Sequence, residues 1–256
     1  MADAMADSIT LSGPRPRLLP SVSFGPYALL EAVPWLMLAS ALRFLAYMKP
    51  LVALPAIMLA SFSIFLAFLL AARRMIEFAD GTTKLGTLTF ADQLRLAKLI
   101  LRHVVILLIG AAVAVAIVAP RSAIFMLAGF DGIAFDQFSK LGMFWSAMLA
   151  AIVLLMVVRA GDGGSVGLMS TLREFGSRGR FLLPAVVLLA LILIVLSVIQ
   201  GEVRGLLAVF VKTSAPQQVK NLVYFFFVFG FATLRLWVTL AMLVFALRES
   251  YCHAAA

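Results

Sequence analysis

Charge is what this sequence has least of. Asp, Glu, Lys and Arg together make up 13% of 256 residues, while 64% belong to the apolar set and the mean hydropathy is +1.09. A soluble domain is about half apolar and about a quarter charged. A chain of this size folded in water could not cover so much apolar side chain with polar surface. A soluble enzyme, a disordered chain and a collagen-like or disulfide-bonded scaffold are therefore excluded. Cysteine is nearly absent as well. Cys252 stands alone, so no intrachain disulfide is possible. The only histidines, His103 and His253, have no His, Cys, Asp or Glu at i+3 or i+4 within an apolar span, the spacing that offers a metal two ligands from one helix face. There is no Walker loop, dinucleotide fingerprint or G-x-S-x-G elbow. Gly161-Asp-Gly-Gly164 lacks the Lys of a phosphate loop and reads as a flexible turn. No catalytic residue, metal ligand or cofactor is assigned.

Long apolar runs are what the chain does have, and they make it an all-α integral membrane protein. A spanning helix needs about 20 mostly apolar residues. The expected spans are about 27–48, 51–72, 103–119, 141–158, 181–199 and 222–247, paired as three hairpins in one bundle over 27–247. Tyr27 to Met48 is the ambiguous one, because it carries Glu31, Pro34 and Arg43. The alternative is five spans with 27–48 lying at the interface. The net charge of +9 would point to nucleic acid in a soluble protein. Here the basic residues sit between apolar runs, where they set orientation, and no nucleic-acid contact is expected. With six spans, thirteen Lys and Arg fall on one side and six on the other. The richer side is the cytoplasmic one, which places both termini inside: a proline-broken disordered tail over 1–26 and a short tail over 248–256. The first segment begins with Asp3 and Asp7 and is not a cleavable signal.

Two cytoplasmic linkers share a pattern. Thr89-Phe-Ala-Asp92 and Thr171-Leu-Arg-Glu174 both have the spacing of a helix-capping box. After the first, Arg95, Lys98 and Arg102 share a face opposite Leu94, Ala97 and Leu101, and a basic amphipathic helix along the inner leaflet is expected over 89–102. Leu94-Arg95 and Arg102 recur as Leu172-Arg173 and Arg180, and Leu42-Arg43 offers a third copy. Arg95, Lys98, Arg102, Arg173, Arg178 and Arg180 are the expected contacts to anionic headgroups. Hairpins joined by such linkers, from Ala72-Arg-Arg through Thr89-Phe-Ala-Asp-Gln-Leu-Arg and from Val158-Arg-Ala-Gly through Leu172-Arg-Glu, resemble a six-helix bacterial membrane-protein family related to the membrane domain of glycerophosphoryl diester phosphodiesterases. The resemblance implies a bacterial inner-membrane bundle and transfers no catalytic residue.

Arg235 is the most informative single residue, since it falls near the middle of the last span. An arginine at the bilayer centre costs at least ~2.5–3.5 kcal/mol, so it should face the bundle and find an acceptor. Glu31, a tyrosine, Thr233, Thr239, a serine on a neighbouring helix, or a backbone carbonyl at a broken helix, as near Pro34 or Pro55, are the expected ones. Arg43, five residues from Met48, is expected to snorkel outward. Arg235, Glu31 and Arg43 form the candidate intramembrane polar site. Asp131 and Asp136, beside Gly129 and Gly132, read as a solvated loop. Gly142, Ser146 and Ala150, and likewise Gly110 and Ala114, read as close-packing ridges. Val186 to Val195 suits lipid exposure, and Tyr224 to Phe229 an aromatic belt or a partner face. The functional expectation is a non-enzymatic scaffold, assembly factor or accessory subunit that contacts lipid and either a protein partner or a second copy of itself. The alternative is a small transporter or channel with an anion or headgroup site at Arg235.

Overall fold

A computed structural model describes residues 20–22, 29–78, 90–127, 129–136, 140–161 and 166–255. Most of the expected tail 1–26, the cap Thr89 and the turn 162–165 lie outside these described residues, and so do Asp92's side chain and the start of the first span. Eight helices carry the fold: α1 (Val33–Met48), α2 (Ala53–Met75), α3 (Phe90–Val118), α4 (Pro120–Leu127), α5 (Lys140–Gly161), α6 (Leu168–Ser177), α7 (Gly179–Val211) and α8 (Gln217–Ala255). One three-residue antiparallel ladder joins β1 (Pro20–Val22) to β2 (Ile76–Phe78), with Pro20 opposite Phe78. Five helices, α2, α3, α5, α7 and α8, are long and apolar enough to cross a membrane. The protein is thus a helical bundle of membrane-protein character. Its remaining long apolar helix, α1, has 16 residues, about 24 Å at 1.5 Å per residue.

Proline and glycine set the helix ends. Pro34 stands in the first turn of α1, where its missing N–H is not needed. Lys49-Pro50 ends that helix, a 3-10 turn over Pro50–Val52 reverses the chain, and α2 packs back along α1. Pro120 separates α3 from α4. Two helices run further than the apolar spans that marked them. The loop expected over 200–221 shrinks to 212–216: α7 continues through Gly201 and Gly205, and Pro216 stands where α8 begins. Glycine weakens a helix by about 1 kcal/mol without breaking it, which is why apolarity ends before the helix does. Likewise, residues 90–102 form no separate surface helix. No proline or glycine interrupts Phe90 to Ile109, so the basic segment and the span are one 29-residue helix.

At the centre lies α5. Its residues 149–158 are buried on every side, as a helix that is apolar all round requires. The ridge of Gly142, Ser146 and Ala150 is buried, and Ser146 satisfies its hydroxyl within the helix on the Gly142 carbonyl at 2.8 Å. The other expected ridge is not used: Gly110 and Ala114 are exposed on α3, which is the least buried of the five long helices. On α7 the aliphatic stretch divides, with Val186, Leu189 and Leu193 inward and Val187, Leu188, Leu191 and Val195 outward.

Candidate functional site

The bundle is built around a loop that folds into it. Residues 129–135, between α4 and α5, are buried, and Phe130 stands edge-on between Phe65 and Phe68 of α2, at 5.3 and 5.7 Å between centroids. Gly129 is required there. A Cβ at that position would come within 2.5 Å of Trp145 Nε1, and the same indole donates to the Met126 carbonyl at 3.0 Å. Non-helical backbone survives in a membrane bundle only where protein or water satisfies it. Turn bonds do part of this: Ala134 N donates to Asp131 O at 3.1 Å and Phe135 N to the same oxygen at 2.8 Å.

Arg235 does the rest. It is 0% exposed, faces the bundle as expected, and donates through Nη1 to the Phe135 carbonyl and through Nη2 to the Leu193 carbonyl (3.0 Å) and the Ser197 hydroxyl. Asp136 Oδ1 lies 3.8 Å from Nη2. Two of the acceptors are of kinds the sequence offered, a serine on a neighbouring helix and a freed backbone carbonyl, but Glu31 and the carbonyls near Pro34 and Pro55 are not the ones used. Glu31 pairs with Arg74, because both stand near the same end of the α1–α2 hairpin. Thr239, one turn from Arg235, is buried with its hydroxyl unpaired. Since Arg235 sits near the middle of α8, the Phe135 carbonyl is carried to that depth.

Asp131 and Asp136 are not a solvated loop. Asp131 is 3% exposed and accepts from Arg43 Nη1 at 2.8 Å and Ser61 Oγ at 3.0 Å. Arg43 therefore does not snorkel outward: it ties α1 to the loop and lies 5.3 Å from the Phe135 ring centroid. Asp136 stands 3.7 Å from Arg204. Sequence reading missed these partners because they are 68 to 99 positions apart. The one available signal was that two intramembrane arginines need counter-charges, and two aspartates between apolar runs could supply them.

Beside the loop opens a cavity of about 570 Å³ between α1, α7 and α8. Its walls are three helical stripes: Arg43, Phe44, Tyr47 and Met48 on α1; Gln200, Arg204, Leu207 and Val211 on α7; Lys220, Asn221, Tyr224 and Val228 on α8. Phe135 and Asp136 close the end that lies deeper in the bundle, and Lys212 and Gln217 stand at the opposite rim. Tyr224 packs against Phe44, Tyr47 and Phe227 at 5.8–5.9 Å, so part of the expected aromatic belt is a wall of this cavity. Arg235 is not in its lining.

The other end of the bundle holds a second ionic cluster. Glu174 accepts from Arg159 Nη1 at 2.8 Å and Arg178 Nε at 3.1 Å, and Arg178 reaches Ser250 Oγ at 2.9 Å and lies 3.9 Å from the Tyr251 ring centroid. Arg178 is thus an internal clamp and not a headgroup contact. Arg95, Lys98, Arg102, Arg173 and Arg180 are all exposed. Thr171 does not cap α6. Gly167 is the N-cap residue, and Thr171, a turn inside, donates to its carbonyl at 2.8 Å. The resembling linkers thus take different forms, one continuous with α3 and one broken at Arg178.

No family model, curated protein or solved structure matches this chain.

Proposed function

We propose that this is a multi-pass protein of a bacterial inner membrane, with both termini cytoplasmic, that acts by binding an anion or anionic headgroup and not by catalysis. The observation that carries the reading is the cavity: Arg43, Arg204, Lys212 and Lys220 line it against one carboxylate among the described residues, that of Asp136. Within low-dielectric walls such an excess of cations attracts anions strongly. This reading belongs with the small-transporter alternative, but it moves the anion site from Arg235, whose guanidinium is engaged with the loop, to the neighbouring cavity. The test is retention of anionic phospholipid by the full chain purified in neutral detergent, read by native mass spectrometry. Arg204→Gln/Lys220→Gln should lower retention at least tenfold; unchanged retention overturns the reading.

A second reading is a scaffold or accessory subunit, alone or as a homo-oligomer. It is supported by α3, whose exposed Gly110 has no atom within 4 Å of a built Cβ, a surface on which another helix can pack closely. Crosslinking from a cysteine at Ala114 in native membranes tests it, and a strictly monomeric product counts against it.

A further inference from the structure

The ligand's chemistry can be narrowed further, on the premise that the cavity is an anion site. Gln200 lines the cavity, is 4% exposed, and its Oε1 has no hydrogen-bond partner among the described residues. A buried amide oxygen left without a donor is costly. Arg43 is held by Asp131 at 2.8 Å, and Arg204 faces Asp136 at 3.7 Å. Lys212 stands twelve residues along α7, about 18 Å away, and Lys220 donates to the Thr213 carbonyl at 2.7 Å. A ligand hydroxyl in the cavity would supply the missing donor.

Two acceptors, Gln200 Oε1 and the Asp136 carboxylate, stand at the deep end, and Lys212 and Lys220 stand at the rim. Even counting Asp131 against Arg43, the surroundings hold two more cations than anions. An ammonium donor would add positive charge to that field, whereas a hydroxyl donates without doing so. Phe44, Met48, Leu207 and Val211 line the same space and offer apolar contact to a hydrocarbon chain.

We propose that the cavity between α1, α7 and α8 binds a phosphodiester amphiphile with a hydroxylated headgroup. Its hydroxyls donate to Gln200 and Asp136, its phosphate faces Arg204 and the rim lysines, and its tail leaves along Phe44, Met48, Leu207 and Val211.

The experiment compares two lipids of equal charge and chain length, dioctanoyl phosphatidylglycerol and dioctanoyl phosphatidylethanol, which differ in the headgroup hydroxyls. Each is titrated into the full delipidated chain in neutral detergent by calorimetry, with soluble glycerol 3-phosphate as a third ligand. The glycerol lipid should bind about tenfold more tightly than the ethanol lipid. Glycerol 3-phosphate should bind at least tenfold more weakly than the glycerol lipid. In Gln200→Met, which keeps side-chain length, the ratio between the two lipids should fall about threefold or more, the remainder resting on Asp136. Equal affinity of the two lipids for the wild-type chain overturns the hydroxyl assignment but leaves an anion site. Glycerol 3-phosphate binding as well as the lipid overturns the tail. Failure of all three ligands to bind, or equal binding by Arg204→Gln, removes the anion reading itself. If Gln200→Met does not fold, the wild-type comparison of the two lipids decides.

Discussion

At the scale of single residues, the fold turns on Arg235 and Gly129. Arg235 supplies the Phe135 carbonyl with its partner, whereas the Leu193 carbonyl also accepts from Ser197 Oγ at 2.9 Å. Arg235→Leu therefore removes the donor that the buried Phe135 carbonyl has among the described residues, and the donor to the Ser197 hydroxyl. Replacing a buried charge by packing is often neutral, but here the unpaired carbonyl decides the sign. We expect a loss of about 1–3 kcal/mol, read as a lower unfolding temperature in detergent, and a smaller loss for Arg235→Lys. Gly129→Ala should cost a similar amount, about 1–3 kcal/mol from overpacking, and it should also change the near-ultraviolet circular dichroism by displacing the Trp145 indole. An unchanged aromatic spectrum would falsify the contact. The inward stance of Arg235 was legible because a guanidinium in an apolar run has no cheaper place. Its acceptors were legible only by kind, a freed carbonyl and a neighbouring serine; that the loop supplies one was not, since a carbonyl exposed by loop folding leaves no mark in the residue order.

At the scale of elements, periodicity decided what could be read. The central place of α5 follows from an apolar surface with no polar face, and the α1–α2 turn follows from Lys49-Pro50. The ends of α3 and α7 were misjudged for one reason: hydropathy marks where a helix leaves hydrocarbon, not where it stops. At 29, 33 and 39 residues, α3, α7 and α8 run to about 44, 50 and 58 Å, beyond a hydrocarbon core of about 30 Å. The buried loop was illegible for the opposite reason, because glycines and aspartates look the same in water and in a satisfied interior. The continuity of α3 makes a prediction that a surface helix does not. Spin labels at Arg95, Arg102, Ile109 and Val113 should report immersion depths that increase steadily toward the middle of the helix. Equal, shallow depths at the first two positions, with a step before the third, would mean that the helix bends at the membrane surface.

At the scale of the whole molecule, both ends of the bundle are fixed by contacts that sequence could not supply. The turns at 49–52 and 212–216 belong to one end, because Met48, Val211, Lys212 and Gln217 all line the cavity there. The opposite end gathers Glu31 with Arg74, Arg159 with Glu174, Arg178 with Ser250, and the Phe181 ring 5.1 Å from His253. The proposed orientation assigns these ends to sides: the second is the basic-rich one and is expected to be cytoplasmic, in which case the cavity would open outward. Labelling with a membrane-impermeant maleimide in a Cys252→Ser background tests the assignment. Lys49→Cys and Ser214→Cys should react in intact cells, and Ser177→Cys only after permeabilisation. The reverse pattern would invert the orientation and turn the cavity to the cytoplasm while leaving the fold untouched. Ser8→Cys then decides the course of α1, whose 16 residues are short for a span unless the bilayer thins or Arg43 draws water and Asp131 into its outer half. If α1 crosses, Ser8→Cys is protected in intact cells; if α1 lies at the interface, it reacts there as readily as Ser214→Cys.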